Sequence, residues 1–438
     1  MKETKGVVMK AKHLFAVAGA LGTIGGAAAY LHRKKNKENE QVVRNKIILS
    51  KNLWRNQDTK QTKINNNFLL IGDGETASEH FIIPNILEQT SSYIVIDPEG
   101  KIYRQVKDRL IVHEEKCLNL SSHTMDGCIS YNPFAYAKEE WDMLQISDCL
   151  VMQNRPGEKL WNNLQKILLV GCMFHLLETG KKLSFKTLYN LLCHFSDDLF
   201  ASDSEDGLAA KYLKAFTESA AGPTKDAIVK ACINCLEPFR FFGEEDGCDL
   251  KALSDKKTAL FLITDTEPNT ISKVLIPLLF TQLYGIQRRK VEKIAINHES
   301  ESIPYSSVTC FLQGKEYLRV FDQDFDHSEN ISSLNSLIFC TLGVDLVFVS
   351  KKVLDRKEDS ATGVTRTTAA HCDSVIYYSS PDFTTLQYVS ERIGNKKTFS
   401  HNKNSTRQIL TTSELLQLPK NKCVVVQRNQ KTAIDDVY

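Results

Sequence analysis

The sequence predicts an α/β protein with a doubly wound, mostly parallel sheet, an inserted all-α region and one N-terminal transmembrane helix. Three features point there. Seven short, almost continuously apolar runs recur between residues 68 and 427, as expected of parallel strands covered on both faces. One long section, 139–245, lacks such runs and carries helical periodicity instead. An uncharged run at 14–31, LFAVAGALGTIGGAAAYL, has about the minimum length for crossing a bilayer.

In chain order, residues 1–35 read as a membrane anchor. Gly19, Gly22, Gly25 and Gly26 would let a neighbouring helix approach closely. The alternative is a cleaved signal peptide, because AAA sits near the end of the run. Against it stand twelve cysteines with no framework spacing, which suit a reducing compartment. Lys2, Lys5, Lys10 and Lys12 on one flank nearly balance Arg33, Lys34, Lys35 and Lys37 on the other, so charge leaves the orientation open. The expected location is the inner or cell membrane, single-pass, with the body in the cytoplasm.

A polar linker is expected over 36–63, followed by the α/β core at 64–138 and 246–438. Its strands are expected at FLLIG (68–72), YIVID (93–97), TALFLIT (258–264), VTCFLQ (308–313), VDLVFVS (344–350), SVIYYS (374–379) and CVVVQ (423–427). Amphipathic stretches between several of them favour helices on both faces. The all-α insertion, 139–245, has helices expected at 161–178, 185–195, 208–220 and 224–239. Trp161, His175 and His194 lie on these helices and read as packing residues.

Composition is ordinary for a globular body, at 42% hydrophobic and 25% charged. The net charge of +2 is uneven: residues 1–63 carry about +10, so the remainder is slightly acidic. That pattern places a membrane surface or polyanion near the N-terminus and argues against a strongly basic nucleic-acid-binding body. Arg288-Arg289-Lys290, Lys351-Lys352 and Lys396-Lys397 lack interleaved aromatic residues and read as solvated faces. Cys232 and Cys235 form the CxxC of ACINCLEP; without a second pair at zinc spacing they read as core residues, and no metal site is expected.

The chemistry-bearing stretch is NFLLIGDGETASEHFIIPN (67–85): an apolar strand, a glycine-bearing loop, and a helix expected to begin shortly before Pro84. A phosphate-binding loop occupies such a place. It aims backbone N–H groups and a helix N-terminus at phosphate, with a lysine for the β- and γ-phosphates and a hydroxyl for Mg²⁺. Counting the GxxxxGK[ST] pattern from Gly72 puts Ala77 at the last glycine, Ser78 at the lysine and Glu79 at the hydroxyl. Asp73, Gly74, Glu75 and Thr76 fill the interval, so carboxylates stand where a triphosphate would lie. Gly72-x-Gly74 also matches the start of a dinucleotide fingerprint, but the third glycine is missing.

Segments spread over 64–438 resemble the TraG/TraD-type coupling proteins of conjugative type IV secretion systems, especially their Gram-positive branch. NNNFLLIG…PNIL (65–87) is similar to that family's P-loop strand and its following Pro-Asn, here Pro84 and Asn85. SSYIVIDPEGKIYR (91–104) resembles the Asp-Pro-Lys-Gly turn, with Asp97 and Gly100 matched and Glu99 in place of the lysine. YNPFAY (131–136) supplies the matching Asn132 and Pro133. Residues 160–169 and 219–239 resemble the family's all-α domain, and 249–270, 371–394 and 409–429 resemble its later core segments.

The resemblance implies a membrane-anchored, RecA-like P-loop NTPase core, usually hexameric, that passes a relaxase–DNA complex to a secretion channel. The implied partners are secretion-channel and relaxosome proteins and the membrane, in a homo- or hetero-hexamer with an active paralogue. DNA is a further possible partner that the sequence leaves unsupported. A Walker B strand should end in Asp-Glu to hold Mg²⁺ and polarise water; here the matching strand runs into Gln313, Gly314 and Lys315. With Walker A and Walker B both altered, the expectation is a component deficient in ATP hydrolysis, acting in assembly or as an adaptor, with no catalytic residue and no cofactor. The alternative is an active membrane-anchored ATPase that delivers relaxase–DNA to the secretion channel, with ATP and Mg²⁺ as cofactors if the site is still functional.

Overall fold

A computed structural model of the chain describes residues 46–123, 125–151, 159–196, 207–242, 244–296, 308–313, 336–355, 363–400 and 403–438. The expected anchor at 1–35 lies outside them, as do Gly314 and Lys315. Among the described residues no helix is long and apolar enough to cross a membrane.

Nine strands form one sheet: β1 (Phe68–Ile71), β2 (Ser92–Pro98), β3 (Glu114–Asn119), β4 (Thr258–Thr264), β5 (Val308–Leu312), β6 (Val344–Ser350), β7 (Ser374–Tyr377), β8 (Lys422–Gln427) and β9 (Ala433–Asp436). Their spatial order is β9-β8-β7-β1-β6-β5-β2-β4-β3. Every pairing from β7 to β3 is parallel. β8 and β9 finish the other edge antiparallel. All seven apolar runs lie in this sheet. The two strands that apolarity does not announce are its edges, EEKCLN and AIDD, which are only partly buried along much of their length and so need no continuous apolar run.

β1 sits between β6 and β7, and β6 separates it from β5. This brings the ends of β1 and β5, which carry the P-loop and Walker B positions, to the same carboxyl edge. Helices cover both faces. On one face lie α1 (a continuous run of α-helix Gly74–Ala77, π-helical turn Ser78–Ile82 and α-helix Ile83–Leu87) and α2 (Lys101–Val106). Phe81, Ile82 and Ile86 of α1 meet Phe68, Leu70 and Val95 of the sheet there. The start of α1 differs from expectation: it begins at Gly74, ten residues before Pro84. Proline in a helix interior removes one N–H and crowds the preceding turn, and the π-helical turn just before Pro84 absorbs that misfit.

The opposite face carries the inserted helices α3 (Glu140–Val151), α4 (Lys159–Glu178), α5 (Phe185–Cys193), α6 (Leu208–Ser219) and α7 (Pro223–Leu236), with α8 (Thr270–Ile296) after β4. One hydrophobic cluster runs from Leu69, Ile94 and Leu262 of the sheet through Leu168, Met173, Leu213 and Leu236 of these helices. The insertion therefore shares the core of the sheet. Ser184 and Thr187 form a capping box at the start of α5. His175 is buried and Trp161 half-buried, while His194 is exposed at the end of α5, because the helix stops there and turns it outward.

Residues 46–63, expected to be the end of a polar linker, are folded onto the sheet. Lys46–Ile48 and Trp54–Asn56 form an antiparallel hairpin. Its buried residues are few, Ile48, Leu49 and Arg55 among them, and Arg55 is charged; a stretch held by polar contacts does not show as an apolar run. The Arg55 guanidinium donates to Ser374 Oγ (2.9 Å), Asn65 O (3.2 Å) and Asn66 Oδ1 (3.0 Å) and lies over the Phe68 ring at 4.7 Å. Burial brings its pKa down to about 10, against the upward pull of Asp345 and Asp373.

Eight of the free cysteines are buried, including Cys232 and Cys235 on α7, and Cys193 alone is fully exposed. Cys117 and Cys128 are paired as a disulfide between β3 and the loop after it, a pairing that their unpatterned spacing does not suggest. In a pulse of thiol reagent on the native protein, Cys193 is expected to label first. The buried thiols should follow only on unfolding, because burial both blocks access and disfavours the thiolate; peptide mapping of the labelled sites checks this.

Candidate functional site

β1 delivers the chain to the carboxyl edge of the sheet at Gly72. A side chain there would press on Tyr378, whose Cβ lies 3.3 Å from the position a Cβ of residue 72 would take. Asp73 then caps α1. Its carboxylate accepts hydrogen bonds from Thr76 N (2.8 Å) and Thr76 Oγ1 (3.0 Å). Burial pulls the Asp73 pKa upward, but these bonds outweigh it, helped by Lys351 at the end of β6, and hold the group below the usual carboxylate range.

Two residues thus separate strand from helix. A phosphate cradle needs a longer loop whose free N–H groups surround the anion. Here one of the donors at the helix start is already taken by Asp73, and Ser78 Oγ is turned back onto Gly74 O (2.6 Å). Gly74, Glu75, Thr76 and Ala77 are the first turn of α1, and Ser78 and Glu79 open the π-helical turn.

Gln313, just past β5, is 5% exposed and packs against Gly74: its Oε1 lies 2.9 Å from where a Cβ on residue 74 would be. Its Nε2 reaches Ile96 O at 3.4 Å. The P-loop and Walker B positions therefore meet, as in a nucleotide site. Between them and the β2–α2 turn lies a crevice of about 210 Å³ whose lining includes Glu75, Glu79, Asp97, Glu99, Lys101 and Gln313. Lys101, the single cation among the lining residues, is held by Glu99 at 2.9 Å. Four carboxyl groups against one paired ammonium, with a closed helix start, do not fit a triphosphate with its Mg²⁺: like charges repel, and the low dielectric of the wall magnifies this. Among the described residues no group of three or more His, Cys, Asp or Glu converges on a metal position.

The remaining family-matched residues hold the scaffold together. Asp97, at the end of β2, is fully buried; its carboxylate accepts from Ile102 N (3.0 Å) and Tyr103 N (2.7 Å) and so caps α2. Gly100 makes the turn between them with φ +67°. Asn85 lies towards the other end of α1, away from the crevice, and pairs with the backbone of Ile48. Pro84 is packed beside it. Asn132 and Pro133 begin a 3₁₀ turn at the foot of the insertion, where Asn132 Nδ2 donates to Glu244 O (2.9 Å) and Pro133 O accepts from Gln282 Nε2 (2.8 Å). Lys101, Gln105 and Thr266 also line the crevice and carry no motif; the general placement of ligands beyond the carboxyl ends of parallel strands is the signal that finds them. A larger crevice of about 530 Å³ lies beside it, at the ends of β3 and β4, lined by Ser121, Ser122, His123, Thr264 and Asp265 among others. Of the motif positions Glu99, in the β2–α2 turn, reaches it; the P-loop and Walker B positions do not.

Burial raises the Asp97 pKa to about 6, against the downward pull of its backbone hydrogen bonds. A carboxyl group whose folded pKa exceeds its unfolded value stabilises the fold when protonated, and that contribution is lost as pH rises through the folded pKa. The stability difference between wild type and Asp97→Asn is therefore expected to move against the wild type, by on the order of 3 kcal/mol, as pH rises from about 3 to 7. Urea titrations of both proteins across that range check it.

These features define a RecA-type P-loop NTPase fold. Its likeness to solved structures is to the bacterial conjugative coupling protein TrwB: the trigonal TrwBdeltaN70 form in complex with sulphate superposes with a TM-score of 0.60 at 14% identity, over 85% of each chain. The TrwB complex with ADP and Mg²⁺ matches with a TM-score of 0.59 at 13% identity, over 86% of each chain. Residues 21–220 match the family model of type IV secretory system conjugative DNA transfer. No curated protein matches the chain. The family model thus covers the first half of the chain in part, and the likeness to TrwB shows the fold.

Proposed function

We propose that the chain is a coupling-protein component of a conjugative DNA-transfer system that has kept the RecA-type scaffold without ATP hydrolysis, and that it acts in assembly or as an adaptor. The observation that carries this reading is the start of α1. Asp73 caps a helix that begins two residues after β1, Ser78 and Glu79 stand where a lysine and a hydroxyl would serve a nucleotide, and Glu75 adds a further carboxylate to the crevice. Gln313 at the end of β5 adds a neutral side chain where a Mg²⁺-binding carboxylate is needed. The scaffold survives such changes because the family-matched Asn85, Asp97 and Asn132 bind backbone of this chain.

In this reading the body lies in the cytoplasm on a single membrane-spanning segment, in a hexamer that includes an active paralogue, next to secretion-channel and relaxosome proteins. TrwB, the structural relative, has been seen with ADP and Mg²⁺, which favours the second reading, an active ATPase delivering relaxase–DNA to the channel. Phosphate release by the full-length chain, with and without DNA, separates the two. No release above a buffer blank is expected, and DNA-stimulated release abolished by a Glu75→Lys change would favour the active enzyme. Affinity capture from a conjugating donor should retrieve a full-length coupling protein.

A further inference from the structure

The turn that follows β3 is fastened at both ends and forms part of the wall of the larger crevice. At one end Cys117 sits in β3 opposite Phe261 of β4 and is 3% exposed. At the other, Cys128 is half-buried, and the next residue returns to the strand: Ile129 N donates to Cys117 O at 2.7 Å. These backbone bonds hold the two cysteine Cα atoms 4.8 Å apart, within the range a disulfide needs, and do not depend on the bond between the sulfurs. Between the cysteines, Ser121, Ser122, His123 and Met125 line the crevice of about 530 Å³. Met125 folds back so that its sulfur lies 3.9 Å from Cys117 Sγ, and it packs with Cys128 on the apolar cluster of the α1 and α2 face. Ser122 is tied across to the end of β4: its N–H donates to Asp265 Oδ2 at 3.0 Å and its hydroxyl to Asp265 Oδ1 at 3.1 Å.

Ten of the twelve cysteines stay free, the pattern of a chain kept in a reducing compartment, where a disulfide is usually transient and redox-sensing. The transience rests on the proposed cytoplasmic placement of the body; the geometry does not. We propose that Cys117 and Cys128 form a reversible thiol–disulfide latch, driven by the glutathione couple, whose oxidised form holds the turn bearing Ser122, His123 and Met125 in the crevice wall. Cys128 is the accessible sulfur, so a glutathione thiolate attacks there; the S–S bond breaks, and Cys117 leaves as a thiolate that takes up a proton. A second glutathione thiolate attacks the glutathione sulfur of the mixed disulfide. This gives glutathione disulfide and a Cys128 thiolate, which is protonated in turn. Two glutathione thiols are oxidised, two cysteines are reduced, and the two protons end on the cysteines. Opening removes the covalent closure of the turn. What remains is Ser122 on Asp265 and the bond from Asn119 Nδ2 to His123 O (2.6 Å), all at the exposed surface, where hydrogen bonds open locally at low cost.

The test equilibrates the full-length chain at a series of ratios of reduced to oxidised glutathione, quenches with acid, alkylates after unfolding and maps the peptides. The pair is expected to pass between disulfide and dithiol within the series, while the eight buried free thiols alkylate at every ratio. Hydrogen exchange in the same samples should speed up by about tenfold or more across 119–128 on reduction, with β1, β6 and β7 unchanged. Cys128→Ser, at a half-buried position, should show the faster exchange at every ratio; if that variant loses protection throughout the sheet, the wild-type series alone decides. A pair that remains disulfide in reduced glutathione alone would overturn the latch and count against a cytoplasmic body. A pair that remains dithiol in oxidised glutathione alone, or equal exchange in the two states, would overturn the latch and leave the placement of the body untouched.

Discussion

Arg55→Ala is expected to lower the stability of the fold by about 3–5 kcal/mol, the usual result of removing one partner from a buried charged group. The guanidinium joins the N-terminal hairpin to the first residue of β7, Ser374, and to the segment entering β1 through Asn65 and Asn66. It is also the cation that acts on Asp345 and Asp373, both buried at the amino ends of their strands. Without it Asp345 keeps its burial and loses that compensation, while Asp373 retains Arg428 at 3.5 Å. Arg55→Lys should recover only part of the loss, because a single ammonium cannot reproduce the fork to three oxygens or the stacking on Phe68. Urea unfolding followed by circular dichroism measures the change. A loss below about 1 kcal/mol, the level of an exposed ion pair, would show that the hairpin is not held this way.

The second large effect is expected at Asn85. Its amide pairs in both directions with Ile48, accepting from Ile48 N at 2.8 Å and donating to Ile48 O at 2.9 Å, and it donates also to Phe81 O at 2.8 Å. Asn85→Asp keeps the shape and turns two donors into an ionised oxygen facing two carbonyls. Each buried acceptor left unsatisfied costs about 1–3 kcal/mol, and more where the facing group is charged. The hairpin at 46–56 should therefore detach before the sheet unfolds. Hydrogen exchange and limited proteolysis should show protection lost at 46–56 and retained in β1, β6 and β7. Acidification should restore part of it, because the protonated carboxyl regains one donor. Asn85→Ala, which adds no charge, should have the smaller effect and no pH dependence of this kind.

Much of the fold is legible in the sequence because the interior strands are buried on both faces, and burial writes itself as an unbroken apolar run. FLLI, TALFLIT and VDLVFVS need no other information. EEKCLN and AIDD are edges and carry no such record. Nor does the hairpin at 46–56, which Arg55 and Asn85 attach through polar contacts distant in sequence. At the site, Gly72, Glu75, Glu79 and Gln313, which the motif count singles out, lie at one edge of the sheet. It does not show that Asp73 would turn into a helix cap, because that depends on where the helix begins. The π-helical turn before Pro84 sets its path, and a proline inside a helix reads in sequence as a reason to start the helix later.

The matched positions also divide by what they touch. Asn85, Asp97 and Asn132 bind this chain's own backbone, so they mark the scaffold. The crevice residues face outward, and there four carboxyl groups stand against one ammonium, that of Lys101. A scaffold retained beside an altered site is what an assembly role requires, since docking depends on shape and catalysis on a few groups.

Equilibrium binding of labelled ATP with Mg²⁺ to the purified full-length chain tests the central claim most directly. The closed helix start and the carboxylate-lined crevice predict no saturable binding at nucleotide concentrations up to about 1 mM, which corresponds to less than about 4 kcal/mol of binding free energy. Saturable, Mg²⁺-dependent binding in the micromolar range, weakened by substitution of Gly74 or Gln313, would contradict it.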